Sequence, residues 1–135
     1  MAAEDKYPLR LVTPHSLYRF NSSYSNVQWF RDREPHALWM NPADAKKRGL
    51  RQADKVVVSS PRGEMLISVA ITEDIMPGVV CLLQGIWPSI DGNGMDRAGS
   101  TNILTSTVPT EPSKGSRTHS VWVEVELNRP CEPFR

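Results

Sequence analysis

The sequence predicts a mainly β protein, a closed barrel of short strands carrying one or two short helices. Three observations lead there. Eleven prolines and eight glycines in 135 residues cut the chain into short pieces, since proline removes a backbone donor and glycine is costly inside regular elements. Helical periodicity never lasts longer than about three turns. Apolar residues recur instead with period two, and the stretches between them are long and polar, the pattern of short strands closing on themselves.

The elements follow in order. Residues 1–6 are polar and expected to be disordered. Leu9, Leu11 and Val12 predict a first strand, which Pro14 stops. Behind it comes a donor-rich loop with His15, Ser16, Tyr18, Arg19, Asn21, Ser22, Ser23, Ser25 and Asn26. Such a loop is either plainly solvated or a cradle for a polar, anionic ligand, and composition alone favours the solvated loop. Residues 27–33 suit a turn or two of helix, and the apolar run in 34–40 suits a strand. Asn41 is a good N-cap, Pro42 fits the first helical position and Asp44 lies three residues after the cap. Lys46, Lys47 and Arg48 then sit at the negative end of that helix, with Gly49 placed to close it. Residues 54–60 and 64–72 predict two strands joined at Pro61-Arg-Gly63, a hairpin in which Met65, Ile67, Val69 and Ile71 share one face. After a connection, residues 79–83 form a buried strand. Residues 84–99 are loop, residues 101–112 irregular, and the alternation in residues 120–127 gives the last strand. Residues 129–135 are expected to fray.

Bulk composition narrows the function classes. At 39% hydrophobic and 23% charged the chain is an ordinary globular one, long enough for a single domain with a real core. The net charge of +1 is not concentrated anywhere, so neither nucleic acid nor an anionic membrane gains electrostatic support as a partner. No segment approaches the ~20 apolar residues of a membrane span. Met1 to Lys6 lacks a signal-peptide core, so the chain alone reads as cytoplasmic; an export signal upstream in a longer protein would make it periplasmic. Cys81, inside an apolar run, predicts a small core hydrophobe, and Cys131 stands far away in the tail; neither suggests a disulfide or a metal cluster.

Complete catalytic constellations are not evident. The Asp91-Gly-Asn-Gly-Met-Asp96 loop begins like a calcium loop, but Met95 breaks the pattern and Asn102 stands where a glutamate is needed. His15, His36 and His119 show no metal-ligand spacing, and neither G-x-S-x-G nor a P-loop is present. The polar loops suit binding better. The first supplies a guanidinium, amides and hydroxyls that fit phosphates and heteroaromatic edges. Asn102 and His119 lie in later polar segments and would complete such a site, although Asn102 read locally is a turn-capping amide.

An ordered set of segments resembles a known family. Pro8-Leu-Arg-Leu-Val-Thr-Pro-His-Ser-Leu-Tyr-Arg-Phe-Asn-Ser-Ser-Tyr-Ser-Asn26 resembles the opening of the C-terminal domain of the dimethyl sulfoxide reductase family, the molybdenum or tungsten oxidoreductases. The likeness continues through Glu34-Pro35, Asn41-Pro-Ala-Asp-Ala-Lys-Lys-Arg-Gly-Leu50, Asp54-Lys-Val-Val-Val58, Arg62-Gly-Glu64 and Pro77-Gly-Val-Val80. It ends with Asp91 to Arg97, Ser100-Thr-Asn-Ile-Leu-Thr105 and Thr118-His-Ser120. The resemblance implies a double-psi β-barrel over residues 7–128 that holds a bis(molybdopterin guanine dinucleotide) cofactor with molybdenum or tungsten. It implies that residues 13–22 wrap the cofactor, and it gives Thr13, Pro14, His15, Arg19, Asn21, Ser22, Asn102 and His119 as contacts. Ser16 stands where the family usually has Pro, Asn21 where it often has His, and Ala53-Asp54 where it usually has Gly-Asp. The family's metal ligand and iron–sulfur clusters belong to N-terminal domains. The chain is therefore expected to be the last domain of a larger subunit, or a separate subunit equivalent to it. Its partners would be those domains and iron–sulfur electron-transfer subunits, and its role to hold the cofactor rather than to turn over substrate. Two other classes share the barrel. One is a protein-interaction module. The other is a self-cleaving pyruvoyl decarboxylase, for which Gly99-Ser100 and Gly115-Ser116 are the candidate bonds.

Overall fold

The structure, a computed structural model, describes residues 6–20, 23–105, 111–114 and 121–128. Six strands alternate with short connections: β1 (Leu9–Val12), β2 (Leu38–Met40), β3 (Lys55–Ser60), β4 (Gly63–Ile71), β5 (Val79–Cys81) and β6 (Val121–Leu127). They close into a barrel in the order β1-β5-β2-β4-β3-β6. Two pairings are parallel, β1 with β5 and β2 with β4; the other four are antiparallel. This is the double-psi barrel that the resemblance implies, with two short helices, α1 (Gln28–Arg33) and α2 (Pro42–Lys47).

Alternation produces the core. Leu9 and Leu11 of β1, Val56 and Val58 of β3, Met65, Ile67 and Val69 of β4, and Val121, Val123 and Val125 of β6 all point inward and are buried. Leu38, Met40, Val80, Leu82 and Leu104 complete the same cluster. A fully buried side chain of this size contributes about 1.5–3 kcal/mol relative to exposure. Cys81 is buried as a small hydrophobe. The predicted hairpin is β3–β4, in register from Lys55 opposite Ser68 to Ser60 opposite Gly63.

The helix signals act as read, with one difference. The Asn41 side chain accepts from Ala43 N at 2.9 Å, Pro42 occupies the first turn, and Gly49 takes a positive φ of 65°. Asp44, however, is buried and accepts from Gly78 N at 2.7 Å. Its carboxylate ties α2 to the β4–β5 connection. Asn41 adds a second tie by donating to the Ile75 carbonyl at 2.8 Å. Within the basic triplet, Lys46 and Lys47 are exposed, whereas Arg48 pairs with Glu124 of β6 at 2.8 Å. The strand expected over residues 79–83 pairs only to Cys81, although Leu82 and Leu83 remain buried.

Topology decides where the loops meet. Parallel β1 and β5 leave the barrel at one end. The antiparallel β2 enters there, and β6 begins there with Val121 opposite Leu11. Segments distant in sequence (after β1, before β2 and after β5) therefore gather over one mouth. Among the described residues, no helix is long and apolar enough to cross a membrane.

Candidate functional site

The mouth is sewn first by backbone. Leu82 N donates to the Val12 carbonyl at 3.1 Å, and Gln84 N to the Pro14 carbonyl at 3.1 Å. The Gln84 side chain donates to the Thr13 carbonyl at 3.3 Å. Thr13 and Pro14 thus form the base of the loop, with Thr13 buried and His15 exposed beyond it.

Ser16 then turns the chain. Its hydroxyl donates to Glu34 Oε2 and accepts from the backbone N–H groups of Tyr18 and Arg19, both at 3.1 Å. Leu17 N also faces Glu34 Oε1, at 3.4 Å. This hydroxyl-centred turn, where the family usually has proline, folds Arg19 inward. Arg19 is only 9% exposed, unusual for an arginine. Among the described residues, its Nε and Nη2 find no hydrogen-bond partner. Burial lowers its pKa from the ordinary value and the charge of Glu34 opposes this; an arginine nonetheless keeps its proton. A buried guanidinium with unused donors is expensive unless something completes it.

Arg19 faces a cavity of about 720 Å³, lined also by Ser25, Asn26 and Phe30 from the first loop and α1, by His36 before β2, and by Trp87 after β5. Two of its lining aromatics are exposed, Trp87 at 67% and Tyr24 at 57%, and Leu17 and Phe20 of the first loop are exposed as well. Tyr24 stacks on Phe30 with ring centres 5.3 Å apart, and Trp29 meets Phe30 edge-on at 4.8 Å. This aromatic cluster holds α1, which buries no residue of its own.

His36 is the second unsatisfied group. Its Nε2 lies 2.7 Å from the Gly99 carbonyl, and its Nδ1 is buried without a partner among the described residues. Desolvation lowers its pKa most. The Gly99 carbonyl raises it, the Arg19 cation lowers it, and Asp96 and Glu34 raise it slightly. Gly99 is held in turn by Asp96, which is completely buried. Asp96 Oδ1 accepts from Ser89 N and Ala98 N at 2.8 and 3.0 Å. Its Oδ2 accepts from Gly99 N and Ser100 N at 3.1 and 2.6 Å. The end of the calcium-like motif is thus a carboxylate saturated by backbone donors. Asp91 is likewise satisfied internally, by Asn93 N, Met95 N and Arg97.

Of the residues expected to bind cofactor, Arg19 lines the cavity of about 720 Å³. Asn102, exposed on the 3-10 turn Thr101–Ile103, lines a neighbouring hollow of about 290 Å³. Ile86 and Trp87 form a wall common to both spaces. Asn21, Ser22 and His119 lie outside the described residues. Sequence reasoning did not select His36, because nothing local distinguishes a lone histidine leading into a strand; its partner Gly99 is 63 positions away.

The geometry is that of a binding mouth, and comparison identifies its family. Residues 9–122 match the family model described as the molydopterin dinucleotide binding domain. The chain belongs to this family. As a molydopterin dinucleotide binding domain it is 43% identical over 122 residues to the probable dimethyl sulfoxide reductase chain YnfF of Escherichia coli, covering 89% of this chain and 15% of the relative. It is 40% identical over 122 residues to the dimethyl sulfoxide reductase DmsA of Haemophilus influenzae, covering 90% and 15%. Trimethylamine-N-oxide reductase of Haemophilus influenzae is 34% identical over 133 residues, covering 90% and 16%. The chain thus spans about one seventh of the length of these relatives. Among solved structures, acetylene hydratase from Pelobacter acetylenicus superposes with a TM-score of 0.76 at 17% identity, covering 93% of this chain and 19% of that one. That likeness concerns the fold.

Proposed function

We propose that this domain, residues 7–128, holds a bis(molybdopterin guanine dinucleotide) cofactor carrying molybdenum or tungsten, together with domains N-terminal to it in a reductase of S-oxides or N-oxides. The observation that carries the reading is Arg19, a buried guanidinium with unused donors, on a residue that lines a cavity large enough for a heterocycle or a phosphate. The exposed Leu17, Phe20 and Trp87 add support, since exposed apolar side chains of this kind cover partner surfaces. The relatives are about seven times longer than the stretch they share with this chain.

The residues of this chain would bind and orient. Arg19 supplies paired charge-assisted donors suited to a phosphate or a carbonyl edge. Asn102, across the Ile86–Trp87 wall, supplies an amide for a second part of the ligand. Thr13, Pro14 and His15 shape the loop, and Asn21, Ser22 and His119 belong to the same proposed set. The bound group supplies oxygen-atom and electron chemistry at its metal, whose protein ligand belongs to the upstream domains. Iron–sulfur subunits would pass electrons to it, and an export signal upstream would carry the assembly to the periplasm. The test is the cofactor content of the full-length protein with Arg19, Asn102 and His119 all changed to Ala. We expect most of the dinucleotide to be lost; normal content in a folded variant sinks the assignment.

A further inference from the structure

We propose that His36 is a ligand-contact residue, whose Nδ1 accepts a hydrogen bond from an N–H of the 2-amino-4-oxopyrimidine ring common to guanine and pterin, beside the donors of Arg19. The proposal rests on the reading of the cavity as a molybdopterin dinucleotide site and assigns a residue outside the expected contact set.

Its tautomer is fixed by geometry. A carbonyl oxygen only accepts, so the 2.7 Å contact with Gly99 requires the proton on Nε2. In the neutral ring Nδ1 then carries a lone pair. Burial and the nearby Arg19 cation favour that neutral ring, against Gly99, Asp96 and Glu34. The ring is also held in place. Gly99 has a φ of +85°, and a Cβ there would come within 2.8 Å of His36 Nε2 and 2.8 Å of Ile67 Cδ1. Asp96 fixes the Gly99 and Ser100 N–H groups. A carboxylate, a glycine and an imidazole thus form a supported series that ends in an unused acceptor, on a residue that lines the cavity.

Two opposite and unsatisfied groups line one space: Arg19 gives only donors, and His36 gives only an acceptor. They complement an edge on which a carbonyl or ring nitrogen stands next to an N–H, as guanine and pterin both present. Holding Gly99 alone needs one imidazole nitrogen. The second is buried and unpartnered among the described residues, on a residue that lines the cavity, and a ligand N–H that reaches it would satisfy it.

The experiment uses the full-length holoprotein and follows release of bound dinucleotide after dilution, quantified by the fluorescence of the oxidised pterin. His36→Leu should speed release about tenfold, the scale of one hydrogen bond in a dry site. His36→Gln keeps a donor for Gly99 and an acceptor for the ligand, and should stay within about threefold of wild type. Release from wild type should also accelerate as the pH falls through the His36 pKa, because protonation removes the lone pair and sets a second cation beside Arg19. The Gln variant should lack this acceleration. Unchanged release from His36→Leu while Arg19→Ala releases faster overturns the proposal and leaves the site reading intact; unchanged release from both sinks the site reading as well. Equal acceleration in the Leu and Gln variants assigns the effect to packing and also overturns it. Titration of the cofactor-free protein with guanosine monophosphate and with a pterin names the ring, as the one whose binding weakens in His36→Leu.

Discussion

Gly99→Ala offers the sharpest test of how the mouth is built, because Gly49→Ala serves as its control. Both glycines have positive φ, 85° and 65°. A side chain in that region costs roughly 1–2 kcal/mol, and the lost freedom of the unfolded chain returns roughly 0.4–1 kcal/mol. At Gly49 a new Cβ meets nothing within 4 Å, so the net loss there should be about 0.5–1 kcal/mol. At Gly99 the Cβ would lie 2.8 Å from His36 Nε2 and 2.8 Å from Ile67 Cδ1. Overpacking of this kind adds about 1–3 kcal/mol, and displacing the imidazole from the Gly99 carbonyl adds about 1 kcal/mol. The expected loss is therefore about 2.5–5 kcal/mol. For 135 residues the unfolding entropy is roughly 0.28 kcal/mol per kelvin, so 1 kcal/mol moves Tm by about 3.5 °C. Thermal unfolding of the 135-residue chain, followed by circular dichroism, should show Gly49→Ala down by about 2–4 °C and Gly99→Ala down by about 9–17 °C. Equal losses in the two variants would refute the packing of His36 on Gly99.

Three further outcomes follow from the same contacts. Asp96→Asn points an amide NH₂ at two of the four backbone N–H groups that the carboxylate now satisfies; it should cost about 3–5 kcal/mol in urea unfolding, and a loss below 1 kcal/mol would contradict the contact set. Ala53 has a φ of +66°, so Ala53→Gly should relieve strain that exceeds its entropic cost and raise Tm by about 1–4 °C; a lower Tm would count against the strained turn. The lowered pKa of His36 makes stability depend on pH in one direction: above the ordinary histidine pKa both states are neutral and stability is full. Below it the unfolded chain takes up a proton that the folded one refuses, so stability falls by at most about 1.4 kcal/mol per pH unit and levels off once the folded pKa is passed. His36→Gln should remove that slope, and parallel pH profiles for the two proteins would exclude a buried neutral ring.

Local physics made much of the fold readable in the sequence. Asn41, Pro42 and Gly49 mark a helix because each solves a backbone problem at its own position. The faces of β4 follow from alternation alone. The Ala53 turn, where the family usually has glycine, is strained as that departure suggests. Strand order was different. Period two says that a segment is a strand but not which strand it joins, so the resemblance implied the barrel type while the parallel pairs β1–β5 and β2–β4 are seen only in the structure. The candidate site was less legible. Arg19 belongs to a loop whose many donors are visible in the sequence, whereas the role of His36 depends on a contact with Gly99, 63 positions away, and that of Asp96 on the local turn that aims four backbone N–H groups at its carboxylate. Asp96 lies in a motif that begins like a calcium loop, since a carboxylate that collects backbone N–H groups shares its loop chemistry with one that collects calcium.

The mouth of the barrel also explains how loops from distant parts of the chain can share one site. Parallel β1 and β5 leave together, and β2 enters beside them, so three loops supply the donors and the acceptor without a strand being distorted. Glu34 is the carboxylate whose charge acts on Arg19, but its oxygens already meet the Ser16 hydroxyl and Leu17 N. The guanidinium is therefore positioned by a network that does not satisfy its own Nε and Nη2. Such an arrangement is destabilising in the unliganded barrel and becomes favourable when an anionic or carbonyl-bearing group arrives. Ligand binding should accordingly stabilise this end of the barrel more than the α2 end, where Asp44, Asn41 and Arg48 are already paired.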